Sequence, residues 1–196
     1  MPLHHADTPI AAVFMVEPGA YEWPAILLAA SLRAFAYDEI RLYGYCRSEL
    51  IDQLHPATLA FFKANNVTLD EIHPQFEVIY PQGNKLYACA APRPEPATML
   101  FDTDMFMLQP ALLSQTLVPG AVSGRPTGNW MWGNTPQDWA PAYESVGIAL
   151  PRTRMSRPDQ SFTMPSISAG FVAYMGSHFG EVWRDTALTI ERRRLA

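Results

Sequence analysis

Two aspartates one residue apart, Asp102 and Asp104, follow the apolar run 97–101, which predicts a buried strand. Ligands bind beyond the carboxyl ends of strands in open α/β sheets, and residues one apart in extended backbone point the same way. Two carboxylates there repel each other unless a cation or hydrogen-bond donors neutralise them. The pair therefore predicts a site where Mg²⁺ or Mn²⁺ holds substrate phosphates. The alternative interpretation is an Asx-type turn with exposed carboxylates.

Lys85 is a second candidate, because only Lys63 and Lys85 among the 14 basic residues are lysines. When a nucleoside diphosphate leaves, negative charge grows on its β-phosphate oxygen, and a cationic side chain there stabilises the transition state. Other residues carry two interpretations each. Three neighbouring arginines either clamp an anion or form a solvated loop: Arg152, Arg154 and Arg157. Two tryptophans, Trp130 and Trp132, either stack on a sugar ring or pack this part of the chain onto the sheet.

Apolar periodicity predicts the elements that position these residues. Apolar or alternating runs predict strands at 11–16, 40–46, 67–72, 97–101, 120–124 and 167–175, the last interrupted by Gly170. Helical spacing predicts helices at 22–36, 56–65, 84–91 and 178–194, with Asn84 capping the third and Val182 in the apolar stripe of the last. The stretch 125–165, rich in Trp, Arg and Pro, predicts an irregular insert. Alternating strands and helices predict an α/β fold with a parallel sheet.

Composition narrows the class of protein. A chain of 196 residues with 48% hydrophobic residues suits one compact domain, and a net charge of -5 argues against nucleic acid as a partner. Cys46 and Cys89 lie in apolar stretches without metal-site spacing, which indicates core thiols in a reducing, cytoplasmic setting. No signal peptide or membrane-spanning run is expected. Neither GxGxxG nor GxxxxGK[ST] occurs, which excludes the NAD and P-loop classes.

Three segments together resemble a known family. They are Lys85-Leu-Tyr, the run Met-Leu-Phe-Asp-Thr-Asp-Met-Phe-Met-Leu-Gln-Pro that contains Asp102, and Ser168-Ala-Gly-Phe-Val-Ala-Tyr. In order, type and spacing they resemble the nucleotide-diphospho-sugar glycosyltransferases of the GT-A fold, nearest to the glycogenin-like and galactosyltransferase-like group. The resemblance implies a Rossmann-like, mostly parallel central sheet flanked by helices.

The resemblance also implies roles for particular residues. Asp102 and Asp104 would bind Mn²⁺, or Mg²⁺, bridging the donor diphosphate, and Lys85 would approach the diphosphate or the sugar. The turn that begins at Val16 and Glu17 would touch the nucleotide base. The expected nucleotide-sugar-binding set is completed by the residue inside the triplet and by the stretch against donor sugar and acceptor: Thr103, Ser168, Ala169 and Gly170.

The sequence thus predicts a metal-dependent glycosyltransferase that moves a sugar from a nucleoside-diphosphate donor, with UDP favoured, to a sugar, lipid or protein acceptor. Two alternatives stay open: a non-catalytic nucleotide-sugar-binding module, and a nucleotidyltransferase. A nucleotidyltransferase should carry a Gly-rich basic loop after the first strand, and Glu17-Pro-Gly-Ala20 does not match that pattern. We expect one domain over 1–196. Relatives continue past their last helix with residues that complete the cation site, so the domain lacks a C-terminal segment, completes the site differently or has lost activity.

Overall fold

The computed structural model describes residues 8–37, 39–76, 80–126, 136–151, 155–156, 162–163, 167–176 and 178–195. Its strands are β1 (Ile10–Met15), β2 (Ile40–Arg47), β3 (Val67–Ile72), β4 (Ala97–Phe101), β5 (Val122–Pro126), β6 (Met155–Ser156), β7 (Phe162–Thr163) and β8 (Ile167–Met175). Its α-helices are α1 (Glu22–Phe35), α2 (Pro56–Ala64), α3 (Asn84–Ala90), α4 (Pro136–Ser145) and α5 (His178–Leu195).

The described strands form a six-stranded sheet in the order β3-β2-β1-β4-β8-β5. The pairs β3–β2, β2–β1 and β1–β4 are parallel, whereas β8 is antiparallel to both β4 and β5. Every residue of β1 is buried, as expected for a central strand that is covered on both faces. The sheet is therefore mostly parallel, and the predicted α/β class is confirmed.

Helices cover both faces of the sheet. One hydrophobic core lies between the sheet and the helices on its first face, and it contains Leu28 and Leu32 of α1 and Phe62 of α2. Ala88 and Cys89 of α3 lie in a second core on the other face, joined by aromatic side chains at the start of α5. Both cysteines are free and buried, which confirms the prediction of core thiols. In the part of the chain that the structure describes, no helix is both long and apolar enough to span a membrane.

The strand order reverses between β1 and β4, so a crevice is expected at the carboxyl ends of these two strands. From β1 the chain continues to β2 and β3, which lie on one side of β1, and the connecting helices α1 and α2 cover one face of the sheet. Helix α3 then packs on the opposite face, and β4 pairs with the other edge of β1. Such a reversal of strand order leaves room between the two strand ends, where ligands bind in open α/β sheets. The segments after Met15 and Phe101 border that crevice.

The prediction of an irregular insert at 125–165 is wrong in part. Arg125 and Pro126 end β5, and residues 136–145 form α4, with Pro136 at a position where a missing N–H costs nothing. Further on, β6 and β7 pair as a small antiparallel ribbon. The tryptophans and arginines for which two interpretations stayed open lie outside the described residues: Trp130, Trp132, Arg152, Arg154 and Arg157.

Three finer predictions also need correction. Strand β8 passes through Gly170 without interruption, because antiparallel pairing with β4 holds the neighbouring residues extended. The fifth strand begins at Val122 rather than at Gly120, whose φ of 72° belongs to a turn. In α5, Val182 is 44% exposed and lies outside the packed face, whereas Phe179 and Trp183 of the predicted stripe pack against the second core.

Candidate functional site

The segment after β1 supplies one wall of the crevice. The backbone N–H of Val16 donates to the carbonyl oxygen of Tyr45 at 2.8 Å and extends the β1–β2 pairing by one residue. Val16 is fully buried, so the part of this segment that a ligand can reach begins at Glu17. Glu17 comes next, and its Oε1 accepts a hydrogen bond from Asn84 Nδ2 at 3.2 Å. A carboxylate therefore stands at the end of the central strand.

The segment after β4 forms a tight turn at the other wall. The N–H of Asp102 donates to the carbonyl oxygen of Gly170 at 2.7 Å, and the N–H of Met105 donates to the Asp102 carbonyl oxygen at 3.0 Å. Thr103 N–H also donates to Asp102 Oδ1 at 3.1 Å. The expectation of extended backbone over the triplet is wrong, because the chain turns immediately after Phe101 and the alternation of a strand no longer applies.

The turn leaves the two carboxylates in different surroundings. The side chain of Asp102 is 32% exposed, and Asp104 is exposed to solvent. The backbone thus follows the turn interpretation of the triplet. An exposed carboxylate at the mouth of the crevice keeps its oxygens available for a cation or for water, whereas both oxygens of Asp102 already accept hydrogen bonds.

Lys85 of α3 forms an ion pair with Asp102 in the turn after β4. Its Nζ lies 2.7 Å from Asp102 Oδ2, and its side chain is only 15% exposed. The neighbouring Asn84 contacts Glu17, so two consecutive residues at the start of α3 hold the carboxylates that end β1 and β4. The prediction that Asn84 caps the helix is wrong, because its side chain contacts Glu17 instead and Gly83 occupies the cap position.

Residues of β8 line the crevice beside Asp102. Gly170 lies close to the turn: a Cβ built there would stand 4.0 Å from Asp102 Cβ and 3.4 Å from Ser168 Oγ. The Ser168 hydroxyl accepts a hydrogen bond from Gly170 N–H at 3.3 Å. The strand register places Phe101 opposite Phe171, which brings Ala169 and its neighbours to the same edge of the sheet. The structure therefore brings Lys85, Asp102 and the Ser168–Gly170 stretch together.

Sequence reasoning missed Glu22, which anchors the loop after β1. Glu22 is only 6% exposed, and its carboxylate accepts from Gly19 N–H and His55 N–H at 2.9 Å each and from Thr58 Oγ1 at 2.5 Å. Burial alone would raise the pKa of Glu22, but these donors outweigh it and the pKa is lowered. Thr58 lies 36 residues away along the chain, so no local sequence signal could reveal this contact.

The donor set of the crevice suits a hard divalent cation. Asp102 and Asp104 offer carboxylate oxygens, the ligand type that Mg²⁺ and Mn²⁺ prefer. Among the described residues, no group of three His, Cys, Asp or Glu side chains is placed to hold a metal ion. One or two carboxylates together with substrate phosphates and water are nevertheless a common arrangement for Mg²⁺. The two aspartates therefore fit a cation that arrives with a diphosphate.

The mostly parallel six-stranded sheet with helices on both faces matches the GT-A glycosyltransferase fold. The galactosyltransferase LgtC, solved in complex with donor and acceptor sugar analogs, is similar to this chain with a TM-score of 0.55 and 11% sequence identity. The match covers 93% of this chain and 64% of that chain. The chain belongs to the Rhodobacterales glycosyltransferase domain family, whose model matches residues 12–196.

These comparisons confirm the predicted GT-A fold and the glycosyltransferase family. At 11% identity the structural similarity supports the fold, and the chain spans less than two thirds of the length of LgtC. A comparison with curated proteins gave no match.

Proposed function

We propose that this chain transfers a sugar from a nucleoside-diphosphate donor, with UDP as the nucleotide, to an acceptor, in a reaction assisted by Mn²⁺ or Mg²⁺. The observation that carries the proposal is the ion pair between Lys85 and Asp102 at the switch-point crevice. It places a cationic side chain beside a carboxylate where α/β sheets bind ligands. Membership of a glycosyltransferase family supports the same reaction class.

The diphosphate would lie between the Asp-x-Asp turn and the start of α3. Asp102 and Asp104 would hold the cation, which when bound would neutralise the diphosphate and favour its departure. In the described arrangement Lys85 neutralises Asp102 at 2.7 Å. An arriving diphosphate offers Lys85 a second anionic partner, and its Nζ can turn toward the phosphate oxygens and free Asp102 Oδ2 for the cation. Lys85 thereby exchanges one negative partner for another.

The chemical step breaks the bond between the anomeric carbon and the β-phosphate oxygen. The electron pair leaves with the nucleoside diphosphate, and Lys85 stabilises the negative charge that develops on that oxygen. The acceptor hydroxyl oxygen forms the new bond to the anomeric carbon, and its proton is released to water. Gly170 carries no side chain of its own, so a donor sugar that reached the backbone of β8 here would lie among Ser168, Met105 and Asp102, whose side-chain atoms stand 3.4–4.0 Å from a Cβ built at this position.

The nucleotide base would lie against the loop after β1. Glu22 fixes this loop by accepting the Gly19 N–H, while Glu17 is held through Asn84. A loop anchored before the ligand arrives loses less conformational entropy on binding. The donor sugar analog in LgtC supports a sugar-nucleotide donor by analogy, and its acceptor sugar analog supports a sugar acceptor.

Domain extent and compartment belong to the same proposal. We treat residues 1–196 as one nucleotide-sugar-binding domain, supported by the family match over residues 12–196. The two free, buried thiols are compatible with the reducing cytoplasm.

Hydrolysis of the donor tests the proposal without knowledge of the acceptor. Purified chain is incubated with UDP-sugars and Mn²⁺, and UDP release is followed for the wild type, Asp104→Asn and the control Asp52→Asn. Asp52 is also an exposed aspartate but lies in the turn after β2. We expect a rate at least about 100-fold lower for Asp104→Asn and an unchanged rate for the control. Binding of donor without any release would instead indicate the non-catalytic module.

A further inference from the structure

Several large apolar side chains are exposed on one surface of the molecule, around α1. Large side chains protrude from α1, from the turn before it and from the segment 105–112 that follows the Asp-x-Asp turn. We call them the α1 face: Tyr21 (61% exposed), Trp23 (70%), Leu27 (57%), Phe106 (58%), Leu108 (80%) and Leu112 (36%). Contiguous apolar patches of this kind mark interaction sites more often than free surface.

Backbone contacts show that the two segments are neighbours. Met107 N–H donates to the Ser31 hydroxyl at 3.0 Å, one helical turn after Leu27. Ala111 N–H donates to the Phe35 carbonyl oxygen at 3.0 Å, and Ala36 and Ala111 form a parallel bridge. The segment 105–112 therefore runs alongside α1 in the same direction. Its protruding side chains flank the exposed stripe of the helix.

The exposed stripe of α1 has a distinctive order of side-chain sizes. One face of α1 carries, at helical spacing, Trp23, Leu27, Ala30 and Ala34. The side chains are large in the first half of the helix and small in the second half. When two such helices meet antiparallel about a two-fold axis, Trp23 lies over Ala34 of the other copy and Leu27 over Ala30. Large side chains then fill the space that small ones leave, so the stripe is complementary to itself.

Charge does not oppose such a pairing. No charged residue occurs between Met105 and Gly124, and the buried Glu22 is committed to its three donors. Arg33, the other charged residue of α1, donates to the carbonyl oxygens of Ile40, Asn65 and Asn66. The six residues of the α1 face are thus uncharged, and the one charged side chain on the exposed surface of α1, Arg33, is held by backbone carbonyl oxygens beside the stripe.

We infer that the α1 face pairs two copies of this chain about a two-fold axis, with their α1 helices antiparallel. A fully buried aromatic side chain removes about 150–250 Å² from solvent, so Tyr21, Trp23 and Phe106, which are 58–70% exposed, offer on the order of 90–175 Å² each. Together with the three leucines the α1 face therefore contributes several hundred Å² toward the roughly 800 Å² per partner of a standard specific interface. Glu17 after β1 and Lys85 at the start of α3 are not members of the α1 face, so the pairing does not use these two residues. The pairing is independent of the proposed sugar transfer.

Analytical ultracentrifugation over a range of concentrations tests the association. We expect a dimer for the wild type and for Val182→Glu, a matched control on the exposed face of α5. In Ala30→Glu the two-fold brings each new carboxylate onto the apolar Leu27 of the other copy, and we expect the dimer dissociation constant to rise at least about 100-fold. Circular dichroism checks that each variant folds. A wild type that stays monomeric, or a dimer that tolerates Ala30→Glu, would overturn the inference.

Disulfide cross-linking tests the geometry itself. In the double variant Leu27→Cys, Ala30→Cys each new thiol faces its counterpart on the other copy, and mild oxidation should give a covalent dimer. The same pair of cysteines placed at Glu181 and Val182 on α5 should give none. Binding of the monomer to phosphatidylcholine vesicles through the α1 face, without dimerisation, would replace the second copy by a lipid surface and refute the pairing.

Discussion

Replacing the buried Glu22 by glutamine should destabilise the protein and loosen the loop after β1. The carboxylate is 6% exposed and accepts three hydrogen bonds, from Gly19 N–H, His55 N–H and Thr58 Oγ1. Glutamine keeps one acceptor oxygen and turns an NH₂ group toward donors. At least one of the three donors then loses its acceptor; Thr58 is buried, whereas Gly19 and His55 are exposed residues that water can reach.

The magnitude follows from the number of donors that lose an acceptor. A buried donor left unsatisfied costs about 1–3 kcal/mol and one that water can reach costs less, so Glu22→Gln should lower the free energy of unfolding by about 1–2 kcal/mol. For a domain of this size that corresponds to a fall in Tm of roughly 2–8 °C. Thr58→Val removes one of the donors, and its effect should be smaller in the Glu22→Gln background, since the two residues share one interaction.

The same contacts set the pH dependence of stability. The pKa of Glu22 is lowered in the folded protein from its usual value of 4.5, so the carboxylate contributes stability above that value. This contribution is lost as the pH falls through the lowered folded pKa. The stability difference between the wild type and Glu22→Gln should therefore be constant above about pH 5 and shrink in more acidic solution.

Urea unfolding at several pH values, followed by circular dichroism, measures these effects. Glu181→Gln on the exposed surface of α5 is the matched control and should change stability by less than about 0.5 kcal/mol. A difference between the wild type and Glu22→Gln that is small or independent of pH would refute the assigned role. Loss of stability without weaker UDP binding would show that the anchored loop does not contact the nucleotide.

Three further outcomes are expected. Lys85→Met should weaken donor binding or turnover by about tenfold or more, because Asp102 and the diphosphate lose their cationic partner, and unchanged donor kinetics would contradict this. Gly180→Ala should lower the free energy of unfolding by about 2–3 kcal/mol in urea titrations, because a Cβ there overlaps the carbonyl oxygen of Cys89. Burial raises the pKa of the Cys46 and Cys89 thiols to about 11, so neither should react with a thiol reagent at neutral pH until the protein unfolds.

Most elements could be predicted from the sequence because their apolar patterns reflect burial directly. The continuous apolar run of β1 and the spacing of Leu28 and Leu32 in α1 indicate elements that the structure contains. The direction of a strand could not be predicted in this way, because the apolar pattern of β8 is the same whether it pairs parallel or antiparallel with β4. The helix at Pro136–Ser145 was missed because it carries few apolar residues and contains Pro141.

The site was only partly predictable for a similar reason. Motif spacing pointed to Lys85 and Asp102, which the structure joins at 2.7 Å. The turn after Phe101 depends on the bond from Asp102 N–H to the Gly170 carbonyl oxygen, a contact between distant parts of the chain. The link from Asn84 to Glu17 likewise joins positions 67 residues apart. Contacts of this kind arise from the tertiary fold, and no local pattern reports them.

Titration calorimetry of UDP, GDP and UDP-glucose, with Mn²⁺ and with EDTA, tests the central claim of a cation-dependent nucleotide-sugar site most directly. The chain is compared with the variant Asp102→Ala, Asp104→Ala and with the control Asp52→Ala. We predict that a nucleoside diphosphate binds in Mn²⁺ but not in EDTA, and that binding is lost only in the double variant. No binding of any of the three ligands, or binding that is indifferent to both Mn²⁺ and the two aspartates, would contradict it.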